Sequence, residues 1–66
     1  MEQKYEPMFR LRLKRIEKFM SQEKLAELVG VSQGDISNYE LGKSFPRKKT
    51  LDKIAKVLEC AIRDIV

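Results

Sequence analysis

The stretch QEKLAELVGVSQGDISNYELGK, residues 22–43, decides the fold. Leu25, Ala26, Leu28 and Val29 lie on a helix that opens after Ser21, a good N-cap, with Lys24 where a capping box would carry glutamate. That helix stops at Gly30, a residue suited to the left-handed conformation at a helix C-terminus. Ser32, with Asp35 three residues on, reads as a second N-cap with its acidic partner, opening a helix from Gln33 to Leu41 that ends at Gly42. A link this short at Gly30 forces the two helices to cross steeply and touch near the turn. Close contact needs a small side chain, which Ala26 supplies. Ile36 points back into the same contact, and Leu25, Val29, Val31 and Tyr39 complete the cluster.

Outward from this pair the chain stays helical. Residues 1–7 read as a flexible N-terminal segment, with Pro7 suited to the first turn of a helix. Met8, Leu11, Leu13, Ile16 and Phe19 then mark an amphipathic helix with a basic outer face. Beyond the basic loop LGKSFPRKKT, Leu51, Ile54, Ala55 and Leu58 follow the i, i+3, i+4, i+7 pattern of a fourth helix. Ile62 and Ile65 place a short fifth helix at the end of the chain. No segment alternates like a strand. The expectation is an all-α, compact bundle of five short helices, forming one domain over residues 8–66.

Composition narrows the function. The 66 residues are 42% hydrophobic and 36% charged, which is globular rather than disordered composition. With no histidine, one cysteine and no metal-ligand or phosphate-loop motif, the chain is not expected to be an enzyme or to need a cofactor. Cys60 has no internal partner for a disulfide and reads as a small packed hydrophobe. The sequence has neither a membrane-length apolar run nor the layout of a signal peptide, so the expected location is cytoplasmic, with no membrane partner and no small-molecule ligand. The net charge of +4 is concentrated in Lys43, Arg47, Lys48 and Lys49, a stretch without acids, while the rest of the chain is neutral in sum. Such a patch suits a polyanion, and equally a solvated loop.

The sequence resembles the helix-turn-helix domains of the phage repressor and Cro class, which includes many small bacterial regulators of the Xre type. The resemblance runs from about Leu11 to Ile65 and rests on SQEKLAELVGVS, on the I-S-N-Y-E-x-G-K end of the third helix, and on the proline-containing loop before LDKIAKVL. It implies double-stranded DNA as partner, with the third helix in the major groove, and a homodimer on a palindromic operator acting in transcription, as a repressor. Base contacts fall to Gln33, Gly34, Ser37 and Asn38, since the amides of Gln and Asn can pair bidentately with adenine. Phosphate contacts fall to Gln22 and Ser32 at helix starts and to Lys43, Arg47, Lys48 and Lys49 between the third and fourth helices. Ala26, Gly30 and Ile36 shape the turn. Arg15 of the first helix is expected to pair with Glu40, fixing the orientation of the third.

Some positions depart from the class. Gly34 stands where a base-contacting side chain is common. Phe19 and Glu59 replace glycines usual after the first and fourth helices, and Ala61 replaces a Ser or Thr cap. Phe45 is read either as a cover for the core or as a dimer contact, and Ile62, Ile65 and Val66 either as a dimer seam or as core. The alternative function is a protein-interaction module, such as an antitoxin or a regulator whose main partner is a protein.

Overall fold

The computed structural model describes residues 4–66, which fold into four α-helices: α1 (Phe9–Glu17), α2 (Gln22–Val29), α3 (Gln33–Leu41) and α4 (Lys48–Val57). There is no strand among the described residues. The expected fifth helix is instead a single 3-10 turn, Ile62–Asp64. Its start lacks half of a cap. The Asp64 carboxylate accepts from the Ala61 N–H at 3.0 Å, but alanine has no side-chain oxygen to return the bond and cap the turn.

All four α-helices end in the same way. A residue with positive φ follows the helix, and the next N–H reaches back five residues: Met20 to Arg15 (3.1 Å), Val31 to Ala26 (3.0 Å), Lys43 to Asn38 (2.9 Å) and Cys60 to Ala55 (3.0 Å). The turning residues are Phe19, Gly30, Gly42 and Glu59, with φ of 55°, 90°, 81° and 56°. The fold therefore keeps the left-handed turn at both sites where glycine is replaced, and a side chain there bears the strain. At Gly42 substitution is also barred by crowding, because an added Cβ would lie 2.4 Å from the Tyr5 carbonyl oxygen.

The core is built from Leu11, Leu25, Ile36, Ile54, Leu58 and Ile65, all fully buried. Ala26 and Tyr39 are buried with them, as the tight turn requires. Burial is the main cause pushing the Tyr39 hydroxyl above its ordinary pKa, with Asp35 adding to the shift and Arg47 opposing it. Ile65 is core and Ile62 packs partly buried against it, whereas Val66 is half exposed.

α1 departs most from its expected packing. It begins at Phe9 after Met8, leaving Pro7 outside the helix, and it ends at Glu17. Its inward face is Met8, Leu11 and Arg15; Leu13, Ile16 and Phe19 are exposed, Phe19 almost completely. An arginine engaged in an ion pair has taken the inward position that hydrophobicity alone assigns to a neighbour. The expected flexible segment lies partly outside the described residues. Within the described part, Lys4 and Tyr5 donate backbone hydrogen bonds to the Gly42 carbonyl at 3.1 and 2.9 Å. Tyr5 also packs on Phe45, with ring centroids 6.0 Å apart.

Candidate nucleic-acid interface

The α2–turn–α3 unit is locked by its caps. Ser21 Oγ accepts from the Lys24 N–H at 2.9 Å. Ser32 and Asp35 form a reciprocal capping box, with Asp35 N–H to Ser32 Oγ at 3.0 Å and Ser32 N–H to Asp35 Oδ2 at 3.2 Å. The hydroxyl oxygen of Ser32 is thus committed to the cap, leaving its O–H as the group that an outside acceptor can use.

α3 buries Ile36, Tyr39 and Glu40 and turns Gln33, Gly34, Ser37 and Asn38 outward to differing degrees. Gln33 and Gly34 are exposed at its N-terminal end, while Ser37 and Asn38 are half-buried. A Cβ on Gly34 would meet only Ser32 Oγ, at 3.7 Å, so nothing in the protein demands glycine there.

Glu40 is the one buried charged residue among those described. Arg15 grips it with two hydrogen bonds, Nε to Oε2 at 2.7 Å and Nη2 to Oε1 at 3.1 Å, and donates a third from Nη1 to the Met20 carbonyl at 2.8 Å. Gln22 Nε2 donates to Glu40 Oε1 at 3.0 Å, and Gln33 Nε2 donates to Gln22 Oε1 at 3.1 Å. A continuous chain therefore runs from a buried ion pair to an exposed amide at the start of α3. Sequence reading anticipated the Arg15–Glu40 pair, but treated Gln22 only as a phosphate contact. Gln22 and Gln33 open different helices on either side of the turn, so no spacing within one helix exposes the link.

Beside this chain is an open cleft of about 400 Å³ between α1, α2 and α3, with Gln22, Ser37 and Arg12 on its walls. Arg12 is exposed and was not among the anticipated contacts. The signal was its place three residues before Arg15, on the same flank of α1.

The basic residues are arranged differently from the expected loop. Lys43 and Arg47 do lie between the helices, but Lys48 and Lys49 form the first turn of α4, whose N-cap Arg47 makes no side-chain capping bond. Cations at this end oppose the helix dipole, which favours negative charge there. Lys48 reaches Asp52 at 3.9 Å, a highly exposed pair of little energetic weight. Among the described residues no cluster of His, Cys, Asp and Glu could hold a metal ion, and no helix is long and apolar enough to cross a membrane. Cys60 is half-buried, and burial is the first cause raising its thiol pKa.

Comparison with known proteins agrees with this architecture. The chain is similar to a SPbeta prophage-derived uncharacterized HTH-type transcriptional regulator, YonR, of Bacillus subtilis (strain 168), with 40% identity over 53 residues. That match covers 77% of this chain and 49% of the relative, so the chain spans about half the length of the curated protein it matches. Among solved structures it is similar to the restriction-modification controller protein C.AhdI from Aeromonas hydrophila, with a TM-score of 0.81 and 32% identity over 86% of each chain. The helix-turn-helix family model matches residues 11–65, from the first core residue of α1 to the last core residue of the chain. The chain belongs to the helix-turn-helix family of the Cro/C1 type.

Proposed function

We propose that the chain binds double-stranded DNA as a sequence-specific transcriptional regulator, with α3 in the major groove. The observation that carries this reading is the exposed end of α3. Gln33 stands there with its amide already held by Gln22, beside the open backbone of Gly34, at the helix end where a Cro/C1-type domain meets base edges. Gln33 and Asn38 supply the amides that pair with adenine, and Ser37 and Gly34 complete the facing surface. Gln22, Ser32, Lys43, Arg47, Lys48 and Lys49 hold the phosphates, joined by Arg12. The reversed charge at the start of α4 supports this: cations that do nothing for their own helix are suited to an external polyanion.

On this reading the protein acts as a homodimer on a palindromic operator and represses, within the cytoplasm. The relatives' names support regulation of transcription and control of a restriction-modification system as the kind of task such a domain performs. A protein partner is the second reading, favoured by Phe9, Leu13 and Ile16, which form an exposed apolar stripe along the outer face of α1.

Selection from a random duplex pool at about 0.15 M salt tests the proposal. Enrichment of a palindrome with half-sites about 10 bp apart is the expected outcome. Binding without sequence preference would reduce the interface to its basic patch, and no retention would favour the protein partner.

A further inference from the structure

α1 turns one apolar face away from the rest of the domain. Phe9, Leu13 and Ile16 lie at i, i+4 and i+7, on one side of the helix, and are 63%, 58% and 47% exposed. The buried Leu11 and the Arg15 that grips Glu40 lie on the opposite side. Val66 continues the stripe, since it lines a shallow hollow at the start of α1 together with Phe9 and Arg10. We propose that this face seats a second copy of the chain, the two α1 helices packing antiparallel about a two-fold axis beside Leu13. The inference rests on the homodimer named above and not on base reading by α3, from which the stripe faces away.

Charge supplies the direction. Arg10, Lys14 and Glu17 follow one flank of the stripe and line a groove beside it with Leu13 and Asp64. Arg12 lies on the other flank, where it lines the cleft toward α3. Arg10 stands three residues before Leu13 and Glu17 four after it, both exposed. An antiparallel pair centred on Leu13 therefore sets Arg10 of each copy beside Glu17 of the other, twice, as a self-complementary two-fold interface requires. Parallel pairing would set Arg10 against Arg10 and Glu17 against Glu17. The same centring lays Leu13 on Leu13 and Phe9 beside Ile16 of the other copy.

Within one chain these charges are held loosely. Arg10 donates to the Arg63 carbonyl at 3.4 Å, and Glu17 meets Lys14 at 3.6 Å on the surface. Contacts so long and exposed are readily exchanged for a partner. The apolar stripe is on the order of a few hundred Å², the size at which a surface patch marks an interaction site. With its charged flank it approaches, without reaching, the roughly 800 Å² per partner of a standard interface, which suits a dimer that dissociates in the micromolar range.

Sedimentation equilibrium of the full chain without DNA, from about 1 μM to about 1 mM, tests the seam. The expected result is a reversible monomer–dimer equilibrium. Leu13→Lys, at a position outside the core, weakens the dimer by about tenfold or more while the dilute protein melts near wild type. Arg10→Glu and Glu17→Arg each weaken it by about tenfold or more, because each brings like charges together. The double replacement restores the dimer, since it exchanges the two ends of each pair.

A wild type that stays monomeric throughout would overturn the proposal and leave the stripe to a different protein. A dimer indifferent to Leu13→Lys would place the seam elsewhere and overturn it equally. A double charge variant no stronger than the singles would overturn the antiparallel pairing. None of these readouts involves DNA, so the seam and the α3 reading fail separately.

Discussion

Arg15 and Glu40, 25 residues apart, form a two-point ion pair across α1 and α3, with side chains only 11% and 4% exposed. The third bond of the guanidinium, to the Met20 carbonyl, ties the α1–α2 link to the same point. The pair thus sets the angle of α3 against the rest of the domain. A buried pair of this kind is better understood as a device for orientation than as a source of net stability, because desolvation offsets most of the attraction.

Removing one partner leaves the other charge buried and unanswered. Glu40→Ala is expected to cost about 3–5 kcal/mol, a large share of the stability of so small a domain. The double replacement Arg15→Met with Glu40→Leu is expected to recover much of that loss, because it removes both charges and keeps the volume. Urea denaturation of Arg15→Met, Glu40→Leu and the double gives the coupling energy. A value near zero would contradict the geometry.

Phe19 has a strained backbone and a side chain that packs on nothing. Its φ of 55° lies in the left-handed region and its surface is 97% exposed. Phe19→Gly is therefore expected to stabilise the fold by about 1 kcal/mol, raising the thermal midpoint by about 4–8 °C. Glu59→Gly relieves the same kind of strain but gives up the ion pair with Lys18, so its gain is smaller. That pair holds the Glu59 carboxyl below its ordinary pKa, so its contribution is present at neutral pH and fades as the pH falls through the depressed value. Calorimetric melting of both variants at neutral pH checks the order. A destabilised Phe19→Gly would mean that the ring makes a contact in solution.

Much of this was legible in the sequence because α2 and α3 obey local rules. Their caps, their glycine stops and the Ala26–Ile36 contact are each written within a few residues, and both helices fall where the pattern puts them. α1 was harder to read. Hydrophobicity assigned Ile16 and Phe19 to the core, whereas the inward position went to Arg15, whose partner is 25 residues away. The start of α4 was missed because Lys48 and Lys49 read as loop; helix formation there comes from packing of Leu51 and Ile54 rather than from capping. At the site, residue types were readable but their linkage was not, since the Gln22–Gln33 contact exists only once the turn has folded.

Gly34 separates the needs of the fold from those of the interface. The space around it is open, so Gly34→Ala should fit α3 and stabilise it by about 1 kcal/mol through helix propensity. If backbone approaches DNA closely at this point, the same methyl group weakens specific binding. The expected outcome is a higher thermal midpoint with a lower operator affinity. A rise in both would show that glycine serves neither purpose.

Lys43, Arg47, Lys48 and Lys49 are expected to act through charge alone. Each phosphate neutralised releases condensed counterions, so log K falls with log salt at a slope of about −0.9 per contact. Truncating one of these side chains to alanine should lower affinity for operator and random duplex by similar factors and reduce the slope by about one. Lys48 carries the sharpest form of the test, because its exposed pairing with Asp52 contributes little to the fold. Lys48→Ala should leave the melting curve unchanged, or improve it slightly by removing a cation from the positive end of α4. Binding isotherms at several salt concentrations, on operator and on scrambled duplex, measure both terms. A variant that lost operator binding alone would have to touch bases, and the division between α3 as reader and the α4 start as anchor would then have to be redrawn.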